Sequence, residues 1–193
     1  KIVLYGQPEY PALLQEIHDA PPLLMLRGSS RFWQDRRCVA MVGSRNASAA
    51  GISLTRKLAR DCGEMGLTVV SGLARGIDTA AHQGSLASGT VGVIGGGIDN
   101  IYPPENRPLY DQLAESGAIL SEQPFGATPH ARSFPGRNRI IAGMCEALLV
   151  VEATLKSGSL ISSTYALEQG REVMAIPGSP LDPRSQGPNS LIK

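Results

Sequence analysis

The sequence predicts an α/β fold: a mostly parallel, doubly wound sheet with helices on both faces. Short apolar runs alternate with longer helical patterns, the rhythm of strands joined by crossover helices. The runs are continuously apolar, as in Leu148-Leu149-Val150-Val151, which is expected where helices cover both sides of a sheet. Glycine- and serine-rich turns follow the runs, at the strand ends where ligands bind in open parallel sheets. Six strands are predicted, over Cys38 to Val42, Leu67 to Ser71, Thr90 to Ile94, Ala118 to Leu120, Ala147 to Val151 and Glu172 to Ile176. Five helices fall between them, at about Ala47 to Glu64, Gly76 to Ser88, Pro104 to Ser116, Asn138 to Met144 and Ser159 to Gly170. Residues 1–34 read differently, because Pro8, Pro11, Pro21 and Pro22 break them into short pieces around Leu23-Leu24-Met25-Leu26. They are expected to form a lead-in segment packed on the core, with residues 35–193 as the domain proper.

Composition agrees with one globular domain. The chain has 193 residues, 42% hydrophobic, with 22 Gly, 14 Pro and 3 Cys. A domain of this size buries roughly 70% of the surface its unfolded chain exposes. Disordered and collagen-like classes are excluded on composition. With no run of about 18 apolar residues and no opening signal segment, the protein is expected to be soluble and cytoplasmic. Cys38, Cys62 and Cys145 are odd in number, far apart and outside any C-x-x-C pair, so they read as small buried hydrophobes in a reducing compartment. The first residue is Lys1 rather than Met, and the chain stops just after an apparent Gly187-Pro188-Asn189 turn, so flanking domains are expected.

The formal net charge of +1 excludes a uniformly basic surface. It conceals segregation along the chain. Between Arg27 and Arg60 lie eight basic residues and one acidic, Asp35, whereas Val93 to Gln123 holds five acidic residues and one basic, Arg107. Fourteen of the 18 basic residues are Arg, the side chain suited to bidentate phosphate contact and stacking.

Four strand-to-helix turns carry the candidate chemistry: Gly43-Ser44-Arg45-Asn46, Ser71 to Asp78, Gly95-Gly96-Gly97-Ile98-Asp99, and Glu152 to Ser159. Glycine permits close backbone approach, the N–H groups at a helix start face anions, and Ser hydroxyls and Arg forks add donors. Several adjacent loops therefore offer phosphate-binding geometry. Neither G-x-G-x-x-G nor G-x-x-x-x-G-K-[ST] occurs, which disfavours a dinucleotide cofactor or a P-loop. A long loop from Gln123 to about Gly136 leads into Phe134-Pro135-Gly136-Arg137-Asn138-Arg139, an aromatic beside arginines. That combination suits single-stranded nucleic acid, whose bases stack on rings while guanidinium groups hold phosphates. Asp78 and His82 stand four apart on one helix and could form an acid–base pair, but a helix-start carboxylate and a packed histidine is the simpler assignment. No nucleophile elbow, H-E-x-x-H or carboxylate-rich metal cluster is present.

The blocks Gly43-Ser44-Arg45, S-G-L-A-R-G-I-D-T-A-A-H (Ser71 to His82), Ile101-Tyr102-Pro103, Leu120-Ser121-Glu122, F-P-G-R-N-R-I-I-A-G (Phe134 to Gly143), V-E-A (Val151 to Ala153), K-S-G-S-L (Lys156 to Leu160) and Ile176-Pro177-Gly178 resemble the DNA processing protein A (DprA/Smf) family, in order and nearly throughout the chain. The resemblance implies an extended Rossmann-like domain that binds single-stranded DNA, self-associates as a dimer, and loads RecA recombinase onto incoming strands during natural transformation. It implies a non-enzymatic protein without metal, cofactor or membrane partner. The family's positively charged pocket maps onto Gly43, Ser44, Arg45, Ser71, Gly72, Arg75, Gly76, Phe134, Arg137, Asn138, Arg139, Lys156, Ser157, Gly158 and Ser159. On this expectation Arg45, Arg137, Arg139 and Lys156 hold phosphates and Phe134 stacks a base. The competing expectations are a nucleotide-acting enzyme, such as a nucleoside monophosphate phosphoribohydrolase using the Lys156-Ser157-Gly158-Ser159 turn, and an interaction domain whose glycine turns are only turns. The P-G-G-x-G-T-x-x-E signature of the former is missing.

Overall fold

A computed structural model describes residues 1–192. The chain runs β1 (Ile2–Leu4), α1 (Ala12–Gln15), β2 (Leu23–Gly28), α2 (Arg31–Gln34), β3 (Cys38–Val42), α3 (Ala49–Glu64), β4 (Thr68–Ser71), α4 (Ile77–Ser85) and β5 (Thr90–Val93). After a single 3-10 turn at Pro104–Asn106 come α5 (Arg107–Ser116), β6 (Ala118–Ser121), α6 (Ser133–Gly143), β7 (Ala147–Val150), α7 (Gly158–Glu168) and β8 (Glu172–Ala175). A second 3-10 turn, Pro183–Ser185, leads into α8 (Gln186–Leu191).

The strands form one eight-stranded sheet in the order β1-β2-β6-β5-β4-β3-β7-β8, parallel from β6 to β8. The parallel strands and crossover helices follow the expected α/β architecture. The expected strands are all present within a residue or two. Residues 1–34 add β1 and β2, which pair antiparallel with each other, and β2 pairs antiparallel with β6 through Met25↔Ser121 to Gly28↔Ala118. The sequence predicts no strand there, because the prolines that punctuate the segment sit in its turns and leave only short runs between them.

Alternation along the central strands sends side chains to two cores. Cys38, Ala40 and Val42 of β3 and Leu148 and Val150 of β7 join Leu14, Ile140, Ile141 and Ala166 on one face. Val39, Met41 and Leu149 pack with Ala59, Ile77 and Ala81 of α3 and α4 on the other. Leu109, Tyr110 and Leu113 of α5 extend that second layer beside Ile119. Helix α3 starts where the Ser48 hydroxyl accepts from Gly51 N at 2.9 Å, a side-chain N-cap. Its buried stripe is Gly51, Thr55, Ala59 and Gly63, four residues apart and small enough to seat α4 closely.

Two local expectations are corrected. Helix α6 begins at Ser133, not Asn138, because Pro135 lies in the first turn, where its missing N–H has no intrahelical partner to lose. Phe134 and Arg137 are thus helical rather than loop residues. The Gly187-Pro188-Asn189 turn is likewise the first half of α8, with Gly187 N bonded to Ala153 O at 2.9 Å. Among the described residues no helix is long and apolar enough to cross a membrane.

A candidate nucleic-acid pocket at the switch point of the sheet

Strand order reverses between β3 and β7: chain order proceeds away from β3 in one direction through β4, β5 and β6, and resumes on its other side at β7. Loops leaving the carboxyl ends of β3 and β7 therefore diverge and leave a crevice. An open cavity of about 690 Å³ occupies it. Its lining comes from the β3 loop (Gly43 to Asn46), the start of α4 (Ala74, Asp78), α6 (Phe134, Arg137, Asn138), the β7 loop and α7 (Thr154, Ser157 to Ser159) and Arg184. A smaller recess of about 50 Å³ adjoins it between Gly72, Arg75, Tyr102 and Phe134.

The two loops are fixed to one another. Ser44 N donates to Glu152 O at 2.6 Å, while the Glu152 carboxylate accepts from Ser48 N at 2.9 Å and from Ser48 Oγ at 2.5 Å. The N-terminus of α3 is thereby satisfied from within the protein. Gly76, at φ +74°, turns the chain into α4 where a Cβ would fall on the Ser44 carbonyl. By contrast α7 opens onto the cavity: Ser157 caps it, Ser159 N donating to Ser157 Oγ at 3.3 Å, and Ser157, Gly158 and Ser159 face the crevice. The positive end of that helix dipole favours an anion there.

At the mouth, the Arg45 guanidinium lies over the Phe134 ring, 5.2 Å from its centroid. Tyr102, 50% exposed, tilts against Phe134 at 5.8 Å and 42°. An exposed cation, two aromatic planes and a helix N-terminus thus converge within one crevice. Bases can stack on the rings while phosphates meet the guanidinium and the α7 amides.

Below the mouth, Arg137 is only 5% exposed. It is accommodated by Gly72, where a Cβ would overlap the guanidinium and stand 2.6 Å from Asp78 Oδ2. Burial raises the Asp78 pKa, with Arg137 pulling the other way. Burial also lowers the pKa of Arg137, opposed by Asp78, but from so high a starting value that the guanidinium stays charged. His82, further in and fully buried, has its pKa driven to about 3 by burial and secondarily by Arg137, so it is neutral. Its Nδ1 is 2.9 Å from Thr90 Oγ1, whose hydroxyl donates to Val69 O at 2.7 Å. Thr90 is therefore the acceptor and His82 the Nδ1–H tautomer. His82 Nε2 and Arg137 Nε have no hydrogen-bond partner among the described residues.

The sequence-predicted residues divide into groups. Gly43, Ser44, Arg45, Phe134, Arg137, Asn138, Ser157, Gly158 and Ser159 meet in the cavity, and Gly72 and Arg75 line the recess. Ser71 is buried beneath, its hydroxyl donating to Met41 O at 2.6 Å, and Gly76 acts through the backbone. Arg75 is exposed and paired with Glu105. Lys156 is exposed on the β7 loop beside the cavity but does not line it. Arg139 is placed elsewhere: its guanidinium bonds Glu122 at 2.7 and 2.9 Å and Asp19 at 2.8 Å, tying α6 to β6 and the N-terminal segment. Among the lining residues that sequence reasoning did not assign are Asn46, Tyr102, Thr154, Ser162 and Arg184. Tyr102 carried a signal, an aromatic in the Ile101-Tyr102-Pro103 block, whereas Arg184 reaches the crevice through the 3-10 turn near the end of the chain and had none.

Comparison with known proteins locates this architecture. The family described as DNA recombination-mediator protein A matches residues 1–193. The DNA processing protein DprA of Bacillus subtilis is 44% identical over 187 residues, which is 96% of this chain and 63% of that protein. The crystal structure of DNA processing protein A from Streptococcus pneumoniae superposes with a TM-score of 0.94 at 44% identity, covering 100% of this chain and 68% of that one. DNA processing protein A from Helicobacter pylori, whose structure is described as revealing a unique single-stranded DNA binding mode, gives 0.91 at 28% identity, covering 100% and 87%. The chain spans between about two-fifths and two-thirds of the curated relatives it matches, 41% of the Mycobacterium tuberculosis proteins and 65% of the pneumococcal protein.

Proposed function

Because the chain belongs to the DNA recombination-mediator protein A family, we propose that it binds single-stranded DNA in the switch-point crevice, protects incoming strands in natural transformation and loads RecA recombinase onto them. The observation that carries the binding assignment is Arg45 laid over Phe134 at the mouth of the cavity, with Tyr102 beside it. In this reading Phe134 and Tyr102 stack successive bases, Arg45, Arg184 and Lys156 meet phosphates, and the Ser157-Gly158-Ser159 helix start supplies neutral donors. Arg137 contributes from below as a fixed positive charge. Single-strand binding by the Helicobacter pylori relative supports the same assignment.

Binding of this kind needs no catalytic group. The nearest acid–base candidates support a structural role: His82 is buried against Thr90 outside the crevice lining, and Asp78 sits beside Arg137 at the start of α4. Self-association as a homodimer in the cytoplasm completes the proposal. Exposed Leu167, Met174 and Leu181, around the open β8 edge, provide apolar surface for it.

The test compares single-stranded and duplex oligonucleotides of one sequence by fluorescence anisotropy at two salt concentrations. Tighter binding of the single strand, weakening as salt rises, is expected. Absence of binding at low salt, or release of free base from a nucleoside monophosphate, would displace the reading in favour of a nucleotide-acting enzyme.

A further inference from the structure

We infer that the exposed face of α3 bearing Arg56, Lys57 and Arg60 is a second contact surface, which takes the sugar–phosphate backbone of the same strand where it leaves the crevice. The inference rests on the single-strand reading of the crevice.

The basic cluster between Arg27 and Arg60 is resolved by the structure into separate roles. Arg27 lies over the Tyr110 ring at 5.4 Å, and Arg31 and Arg36 flank Phe32 at 4.8 and 5.9 Å. Arg37 pairs with Glu146, and Arg45 is at the crevice. The remaining three, Arg56, Lys57 and Arg60, share one side of α3. Together with Ala49, Ile52 and Ser53 they line an open hollow of about 580 Å³ with no carboxylate in its lining. These positions recur at the three- and four-residue spacing of a single helix stripe. The acidic residues of α3, Asp61 and Glu64, occupy its far end. Lys57 reaches Asp61 at 2.5 Å and Arg56 reaches Gln83 at 2.6 and 3.1 Å, both exposed contacts that a phosphate can displace at small cost.

The crevice makes such a surface necessary. Its 690 Å³ lies within the roughly 300–1,000 Å³ range of small-ligand pockets, so a longer strand must continue outside it. Three directions lead away. Towards α7 and β8 the surface is mixed, with Leu155, Ile161, Leu167 and Met174 exposed beside the acids Glu168 and Glu172, and its cations, Lys156 and Arg184, stay at the crevice rim. Towards α5 it is acidic, with exposed Asp99, Glu105, Asp111 and Glu115. Towards α3 it is basic, and the helix starts at Ala49, just beyond the Arg45 loop. From Ala49 to Arg60 the stripe runs about 16 Å at the helical rise. Beyond the crevice rim, only the α3 side of these three sets three cations in succession along one path from Arg45, whereas acids interrupt the other two.

The test uses the whole chain with Arg56, Lys57 and Arg60 all replaced by Gln, exposed changes whose folding is checked by circular dichroism. Binding of oligothymidylates of about 4 and about 20 nucleotides, lengths bracketing common single-strand sites, is titrated across a salt series. The short oligonucleotide is expected to bind both proteins alike. The long one is expected to show a salt slope shallower by about 2, three phosphates at about 0.7 each, so that its deficit shrinks about 16-fold between 50 and 200 mM salt. An unchanged slope for the long oligonucleotide, or an equal loss for both lengths, overturns the α3 route while leaving the crevice intact. Failure of the unaltered protein to bind either length overturns the single-strand reading itself, and the α3 route with it.

Discussion

Replacing Gly72 by Ala isolates the arrangement under the crevice. The φ of Gly72 is not among the positive values, so an alanine backbone fits and by itself stabilises by roughly 0.4–1 kcal/mol through the unfolded state. Its methyl group, however, occupies the space of the Arg137 guanidinium. Arg137 is buried, so moving its guanidinium aside weakens the charge it sets against the buried Asp78 carboxyl, at roughly 1–3 kcal/mol for a buried polar group left under-compensated. The expected net loss is about 1–2 kcal/mol, or roughly 2–8 °C in Tm at 2–4 °C per kcal/mol for a domain of this size. Denaturant unfolding of a double-mutant cycle provides the decisive comparison. In an Arg137→Ala background the guanidinium is gone and only the end of the Asp78 side chain lies near the methyl, so Gly72→Ala is expected to cost at least about 1 kcal/mol less than in the parent. An equal penalty in both backgrounds would show that the guanidinium is not what requires glycine, and the account of the crevice floor would fail.

Other perturbations bear on the same site. Arg45→Ala is expected to weaken single-strand binding and make the salt slope shallower by about 0.7, whereas Phe134→Ala loses about 1–3 kcal/mol per stacked base with little change in slope; identical slopes for the two variants would contradict the assigned roles. Tyr102→Ala, measured in the same titration, is expected to lose a smaller fraction of the affinity, and none if the strand bypasses the recess. His82 gives the protein an acid-sensitive term. Burial holds its folded pKa at about 3 against the ordinary 6.5 of an exposed imidazole, so below about 6.5 the unfolded chain takes up a proton that the folded chain refuses. That contribution is complete above pH 6.5 and declines by up to about 1.4 kcal/mol per pH unit as pH falls towards 3. The raised pKa of Asp78 acts with the opposite sign above its ordinary value, so the comparison is between His82→Gln and the parent, with a flatter acid limb expected in the variant.

The central strands were legible because burial on both faces leaves an unbroken apolar run, as in Val39 to Val42 and Leu148 to Val151, and glycine marks where several strands stop. The N-terminal strands were not legible although both carry apolar runs, Ile2-Val3-Leu4 and Leu23-Leu24-Met25-Leu26, because Pro8, Pro11, Pro21 and Pro22 read as breakers of the segment whereas they sit in its turns. Within the crevice, the chemistry of Arg45, Phe134 and the Ser157-Gly158-Ser159 turn could be read from residue type and position after a strand. Arg137 and Arg139 could not be told apart in the same way. Two residues along a helix is about 200° of rotation, so one faces the crevice floor and the other the Glu122 and Asp19 carboxylates. Treating the F-P-G-R segment as loop removed that geometric distinction, because only a helix imposes it. Arg184 illustrates a different limit: it is brought to the crevice by Ala153 N donating to Arg184 O at 2.7 Å, a tertiary contact with no local signature.

The bond from the Glu152 carboxylate to Ser48 has a consequence in time. One wall of the crevice emerges from the ribosome with Gly43 to Asn46, but the carboxylate that fastens it lies 104 residues later and the last lining residue is Arg184. At the usual 5–20 residues per second, roughly 7 to 30 seconds of synthesis separate the first wall from the last. During that interval the nascent polypeptide exposes Arg45 without the ring of Phe134 beneath it, and then Phe134 without Arg184 opposite. Until then the growing chain offers polyanions only separate patches, Arg45 and the α3 cations among them, and the crevice itself is complete only once Arg184 has been made.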